Sequence, residues 1–194
     1  MALCPDVQAR AQEEIDRVVG KDRLPMVSDW KDLKYVDSVM REVMRLNPVA
    51  PLGECATRSS CFSLTQCPAI PHRLRTDDNF RGYDFPKDSI VYANTWKILH
   101  DESLYPDPFA FKPERYMDPL SDPQAEKARD PLTYAFGYGR RVCPGLHLAE
   151  ASMFLSIAMT LAAYDIRKKR DADGNVIEPK LEYSTGTIRS ALRL

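Results

Sequence analysis

Phe136-Gly137-Tyr138-Gly139-Arg140-Arg141-Val142-Cys143-Pro144-Gly145 is the stretch on which the reading of this chain turns. Its glycines let the backbone turn tightly and approach a flat ligand closely. A run rich in Leu148, Met153, Phe154, Leu155, Ile157, Ala158, Met159 and Leu161 follows, and Gly145–Ala163 reads as one helix. Being apolar on most sides, it is expected to be buried. Cys143 then stands immediately before that helix, with Pro144 at the first helical position. There the helix dipole and free backbone N–H groups favour a thiolate, the form of cysteine that binds metal. The alternative is a structural cysteine in a loop before a core helix.

Working back along the chain, Tyr35–Leu46 reads as a helix with Val36, Val39, Met40 and Val43 on one stripe. Glu42 and Arg45 lie at i, i+3 on the side away from that stripe, where alone they read as a surface ion pair worth little. Pro5–Val19 reads as a helix that stops at Gly20, with Val7, Ala11, Ile15 and Val18 on one face. Phe80–Tyr83 and Ser89–Ala93 read as short strands, and Trp96–Leu99 as one helical turn or two. Prolines at 106, 108, 113, 119, 123 and 131 make 105–133 read as ordered irregular chain. Asp173-Gly174-Asn175 reads as a turn, and the tail beyond it could pair as short strands.

The 194 residues suffice for one domain, and 44% apolar with 28% charged residues is ordinary for a globular protein. A net charge of −1 gives no electrostatic case for nucleic acid or an anionic membrane surface. No run approaches the roughly 20 apolar residues of a membrane span, so no transmembrane segment is expected here. The opening residues do not read as a signal peptide. Cys4, Cys55, Cys61, Cys67 and Cys143 form an odd set without C-x-x-C pairs, which argues against a disulfide framework or a zinc site.

The cysteine segment resembles the signature F-x-x-G-x-R-x-C-x-G of the cytochrome P-450 family, matched at Phe136, Gly139, Arg141, Cys143 and Gly145. Glu42-x-x-Arg45 is similar to the family's E-x-x-R motif. Pro113-Glu114-Arg115-Tyr116 is similar to its P-E-R-F segment, with Tyr116 in place of Phe. The order of the three also fits, and the likeness to fungal microsomal-type members covers nearly all of the chain outside residues 54–70.

The resemblance implies a fold that is mainly α with a few short β-strands, the C-terminal haem-binding half of the cytochrome P-450 fold. Residues 1–194 would be a single partial domain. It implies a haem b cofactor (iron protoporphyrin IX) with Cys143 on the iron, and Arg73 and Arg141 reaching the haem propionates. A solvated strand-edge charge is the other reading of Arg73. Phe136, Gly139 and Gly145 would shape the haem loop. Glu42, Arg45 and Arg115 would form a charge network that serves folding and haem retention. Val49, Ala50, Leu52, Thr187 and Ile188 would line a substrate pocket, or be ordinary core.

The implied function is that of a haem-thiolate monooxygenase, which inserts one oxygen atom of O₂ into a small organic substrate. A flavoprotein reductase would supply electrons. The full-length protein would sit at the endoplasmic reticulum membrane through an N-terminal anchor that this chain lacks. No A-G-x-x-T-like segment, the family's distal helix signature, is found, so the chain alone is expected to be inactive. The alternative from another class is a truncated, non-catalytic gene product that retains the haem-binding signature. Residues 54–70 are expected to be an atypical insertion. They are rich in Ser, Thr and Cys without helical or strand period, and would be either a retained intron or a genuine loop.

Overall fold

The computed structural model describes residues 1–48 and 72–179, and the backbone of 182–183 and 191–193. Val49, Ala50, Leu52, Thr187 and Ile188, and the stretch 54–70 with Cys55, Cys61 and Cys67, lie outside the described residues.

The first helix, α1 (Pro5–Val18), has Pro5 at its start, where the missing N–H costs nothing, and Gly20 at φ +81 just beyond its end. Val7, Ala11 and Ile15 are buried on one face, as their spacing predicts. A 3-10 helix (Val27–Asp32) leads into α2 (Lys34–Leu46). Leu33, at the N-cap of α2, has no polar side chain to offer the orphan N–H groups. Glu14 of α1 takes that place: its carboxylate accepts the Tyr35 N–H at 2.9 Å and the Val36 N–H at 3.0 Å.

The core is the meeting of α1, α2 and α6 (Leu146–Ala163). Phe154 of α6 is fully buried and stacks on Trp30, with ring centroids 4.7 Å apart. Burying one such ring is worth about 1.5–3 kcal/mol. The Trp30 indole N–H donates to Asp37 Oδ1 at 2.8 Å, so its polar end is satisfied.

Two expectations about helix faces are corrected. Val43 is 39% exposed, whereas Glu42 and Arg45 are 0% exposed. The side of α2 away from its apolar stripe is covered by the Pro113–Tyr116 segment, so the pair is no surface pair. On α6, only Phe154, Ala158 and Leu161 are buried. That stripe faces α1 and α2, and the opposite flank stays open, with Leu148 74% exposed. By length and composition α6 could cross a membrane, contrary to the expected lack of any such segment, but its buried stripe makes it the third wall of the core.

Three two-stranded antiparallel pairs complete the secondary structure of the described residues. β1 (His72–Arg73) pairs with β4 (Ile90–Val91), and β2 (Asp78–Phe80) with β3 (Tyr83–Phe85). The strand expected at Phe80–Tyr83 is instead the tip of this hairpin. Arg81 at φ +53 and Gly82 at φ +84 make the two-residue turn whose twist matches flanking strands. β5 (Glu182–Tyr183) pairs with β6 (Ala191–Arg193), as the tail allowed. Gly174 at φ +86 sits in the expected turn, with Asp171 Oδ1 accepting the N–H groups of Asp173 and Asn175.

The proline-rich stretch holds more helix than its composition suggested. α3 (Thr95–Leu99) precedes it, with Asn94 Oδ1 capping the Lys97 N–H at 3.0 Å. Within it lie a 3-10 turn (Pro113–Tyr116), α4 (Pro123–Arg129) and α5 (Leu132–Ala135). Pro113 and Pro123 are in first-turn positions, where proline starts a helix, and Asp122 caps α4.

Candidate functional site

Glu42 and Arg45 are the most deeply enclosed ion pair among the described residues, both side chains being completely buried. Arg45 grips Glu42 with two parallel bonds, Nε to Oε2 at 2.8 Å and Nη2 to Oε1 at 2.9 Å. Its remaining N–H groups donate to three carbonyls: Leu99 at 3.0 Å, Pro108 at 2.7 Å and Ala110 at 3.2 Å. Arg45 thus reads the shape of the 99–110 segment through its backbone, and only the planar five-donor fork of arginine can do so.

Glu42 Oε1 also accepts the Lys112 N–H at 2.9 Å and Arg115 Nε at 3.3 Å. Arg115 donates onward to the carbonyls of Pro106 at 2.5 Å and Asp107 at 2.8 Å. The three residues expected to form a network therefore do so, and they fold the irregular chain onto α2.

The Pro113–Tyr116 turn is held from its other side as well. Glu114 accepts the Tyr35 hydroxyl at 2.7 Å and Arg10 Nη1 at 2.9 Å. Burial, and then the Glu114 carboxylate beside it, push the Tyr35 phenol far above its ordinary range. Arg129, which no sequence pattern marked, donates to the carbonyls of Arg115 and of Asp118, the latter at 2.8 Å. A basic residue in the last turn of a short helix gives no hint of such a role.

The cysteine loop is closed by its own backbone. The Cys143 N–H donates to the Phe136 carbonyl at 2.8 Å, and Val142 N–H to Gly139 at 3.2 Å. Gly137 at φ +89 and Gly139 at φ +58 take the left-handed conformations this closure requires. A Cβ on Gly137 would come within 3.5 Å of the Arg141 carbonyl. Gly145 lies beside the sulfur, where an added Cβ would be 3.7 Å from Cys143 Sγ.

The helix starts later than expected. Gly145 is the N-cap of α6, so Cys143 and Pro144 form the turn before it, and the Leu146 N–H donates to the Cys143 carbonyl at 3.2 Å. The cause is local: the loop keeps the Cys143 N–H for Phe136, which fixes that residue outside the helix. Cys143 is exposed, as is Arg141; Phe136 is half-buried.

Arg73 is 69% exposed on β1, and its Nε and Nη2 both reach Asp88 Oδ1, at 2.9 and 2.6 Å. Of the expected haem-contacting residues the structure brings Phe136, Gly139, Arg141, Cys143 and Gly145 into one loop and ties Arg73 to Asp88.

The family model "Cytochrome P-450" matches residues 1–60 and 64–189, with its break inside 54–70. The chain is 44% identical to cytochrome P-450 monooxygenase claR of Ampulloclitocybe clavipes, over 97% of this chain and 32% of that protein. It is 44% identical to cytochrome P-450 monooxygenase 98 of Postia placenta, over 94% of this chain and 32% of that one. It is 40% identical to the multifunctional cytochrome P-450 monooxygenase af510 of Aspergillus fumigatus, over 97% and 31% respectively.

This chain belongs to the cytochrome P-450 family. It spans about one third of the length of the curated relatives it matches.

Proposed function

We propose that the protein carrying this chain is a haem-thiolate monooxygenase in which Cys143 ligates the haem iron. The observation that carries the reading is a single exposed sulfur presented by a loop that its own backbone holds shut. Among the described residues no three His, Cys, Asp or Glu side chains gather as they would around a bare ion. One sulfur on an open face suits a metal that arrives already ligated by a flat macrocycle, and iron protoporphyrin IX is such a group. Haem held by a cysteine thiolate supplies the chemistry that splits dioxygen.

The chain's own residues supply position. Gly145 leaves the sulfur accessible from the helix side, the Phe136–Cys143 bond fixes its height, and Phe136 offers an aromatic edge beside the ligand. Among the described residues Arg141 has no side-chain partner that would compete for a haem propionate. A propionate on Arg73 would have to share it with Asp88, at an exposed site where exchange of partners is cheap. The Glu42–Arg45–Arg115 network lies beneath the chain that leads to this loop and serves folding and haem retention.

The same reading assigns one atom of O₂ to a small organic substrate, a flavoprotein reductase as electron donor, and an endoplasmic reticulum membrane location for the full-length protein. Val49, Ala50, Leu52, Thr187 and Ile188 are assigned to the substrate pocket on family likeness alone. Residues 54–70 are read as an insertion within one partial domain.

The test is spectroscopic. The reduced carbon monoxide complex of the haem-loaded protein should show the thiolate-type Soret band, and Cys143→Ala should lose it. Survival of that band in Cys143→Ala would remove the assignment.

A further inference from the structure

Tyr138 stands in the cysteine loop between the two glycines with positive φ. Its hydroxyl lies 3.2 Å from Thr95 Oγ1. Thr95 is only 5% exposed and is the first residue of α3. At the other end of the same five-residue helix, the Leu99 carbonyl accepts Arg45 Nη1 at 3.0 Å.

α3 therefore has one end on the buried Glu42–Arg45 pair and the other on the loop that carries Cys143. It is stiffened along its length. Asn94 caps it, the Trp96 and His100 rings stack with centroids 4.4 Å apart, and His100 Nδ1 lies 2.9 Å from the Trp96 carbonyl. Leu99 is fully buried, so the strut cannot tilt without opening the core.

We propose that α3 is a strut between the Glu42–Arg45 network and the cysteine loop, and that Thr95 and Tyr138 are positioning residues that hold the loop at its working height. The idea deepens the haem-thiolate reading and rests on it for its purpose. The loop's own backbone bonds close it into a ring, and the hydroxyl pair ties that ring to α3. Tyr138 also meets the Tyr134 ring, at 6.4 Å between centroids, and Tyr134 is itself held through its hydroxyl to the Ala128 carbonyl at 3.1 Å. Tyr134→Phe is therefore a control that removes a nearby tyrosine hydroxyl without touching the latch.

The experiment uses the complete protein, without haem and loaded with haem. Amide hydrogen exchange is read at Val142 and Cys143, whose N–H groups close the loop. Loss of one neutral hydrogen bond should speed their exchange about 2- to 10-fold. Tyr138→Phe and Thr95→Val should each do so, Thr95→Ser should restore the wild-type rate, and Tyr134→Phe should leave it alone. Because the two hydroxyls act as one pair, the double variant should exchange no faster than the faster single one. In the haem-loaded protein, both single variants should keep normal haem content but convert the thiolate-type band to the thiol-type band faster, by a similar factor.

Unchanged exchange in Tyr138→Phe and in Thr95→Val would overturn the latch, and so would additive effects in the double variant. A haem-loaded wild-type protein with no thiolate-type band would sink the haem-thiolate reading instead, while the exchange data without haem would still judge the strut.

Discussion

Arg45→Ala is the perturbation for which the structure gives the firmest magnitude. The guanidinium is completely buried and makes five hydrogen bonds, two to Glu42 and one each to the carbonyls of Leu99, Pro108 and Ala110. Breaking a buried ion pair by removing one partner costs about 3–5 kcal/mol, because the other charge stays behind uncompensated. Here Glu42 keeps two weaker contacts, the Lys112 N–H and Arg115 Nε, which argues for the lower half of that range. The carbonyls of Leu99 and Pro108 act in the other direction, since each loses the Arg45 donor and adds to the loss, whereas Ala110 keeps Arg115 Nη2 at 3.5 Å. About 4 kcal/mol is thus the expected cost, a large part of the roughly 5–15 kcal/mol that holds a domain folded.

Arg115→Ala removes a single 3.3 Å contact to Glu42 and three carbonyl bonds, the one to Ala110 long at 3.5 Å, at 10% exposure, and should cost clearly less. Replacing both Glu42 and Arg45 by leucine should be milder than Arg45→Ala alone, since the fully buried Glu42 carboxylate is then not stranded and Arg115 keeps its carbonyl partners. The assays are urea unfolding and haem content per polypeptide. A loss under about 1 kcal/mol for Arg45→Ala, or normal haem content with slow turnover, would refute the structural role.

The remaining predictions concern three other places. Tyr116 Oη is buried without a hydrogen-bond partner among the described residues, and burial drives its phenol far above the ordinary range. Tyr116→Phe should therefore raise stability by up to about 1 kcal/mol, seen as a higher urea midpoint at unchanged slope; a clear loss would show that the hydroxyl is used. The Asp29 carboxyl is held down at about 2, first by Arg23 and then by the Met26 N–H. A depressed folded value stabilises above the unfolded one, so its contribution should be present above about pH 4 and fade as pH falls towards 2; NMR titration of Asp29 should move up in Arg23→Ala, and a fixed midpoint would contradict the pairing. For residues 54–70, sequencing of the fully spliced transcript distinguishes an intron read in frame, whose codons splicing would remove, from a loop, whose codons would remain.

Helices were legible wherever the apolar spacing and the end signals agreed. Pro5, Gly20 and the Val7–Ala11–Ile15 face placed α1 to within one residue. What failed were inferences that treated one element in isolation. Val43 looked like core because it completes a stripe, yet α2 is wrapped on its polar side by the 99–117 chain, and the buried positions rotate towards Glu42 and Arg45. Prolines suggested irregular chain, although Pro123 after the Asp122 cap starts a helix. The Arg81–Gly82 turn was missed because Phe80 and Tyr83 both favour strands and lie on either side of it.

The site divides the same way. Each member of the Glu42–Arg45–Arg115 network carries a motif, so the sequence names them, but nothing in the sequence says that the partners of Arg45 are chiefly carbonyl groups. Backbone acceptors have no residue identity, so a network that works through them is invisible until the chain is folded. This is why Arg129, Glu14 and Thr95 escaped notice: two of them bind main-chain groups, and the third meets a tyrosine 43 positions away. The loop's chemistry is written in its residues, whereas its placement depends on α3, which joins that loop to the buried Glu42–Arg45 pair. A stretch that looks like filler between two motifs, Thr95 to Leu99, is what turns them into a single mechanical unit.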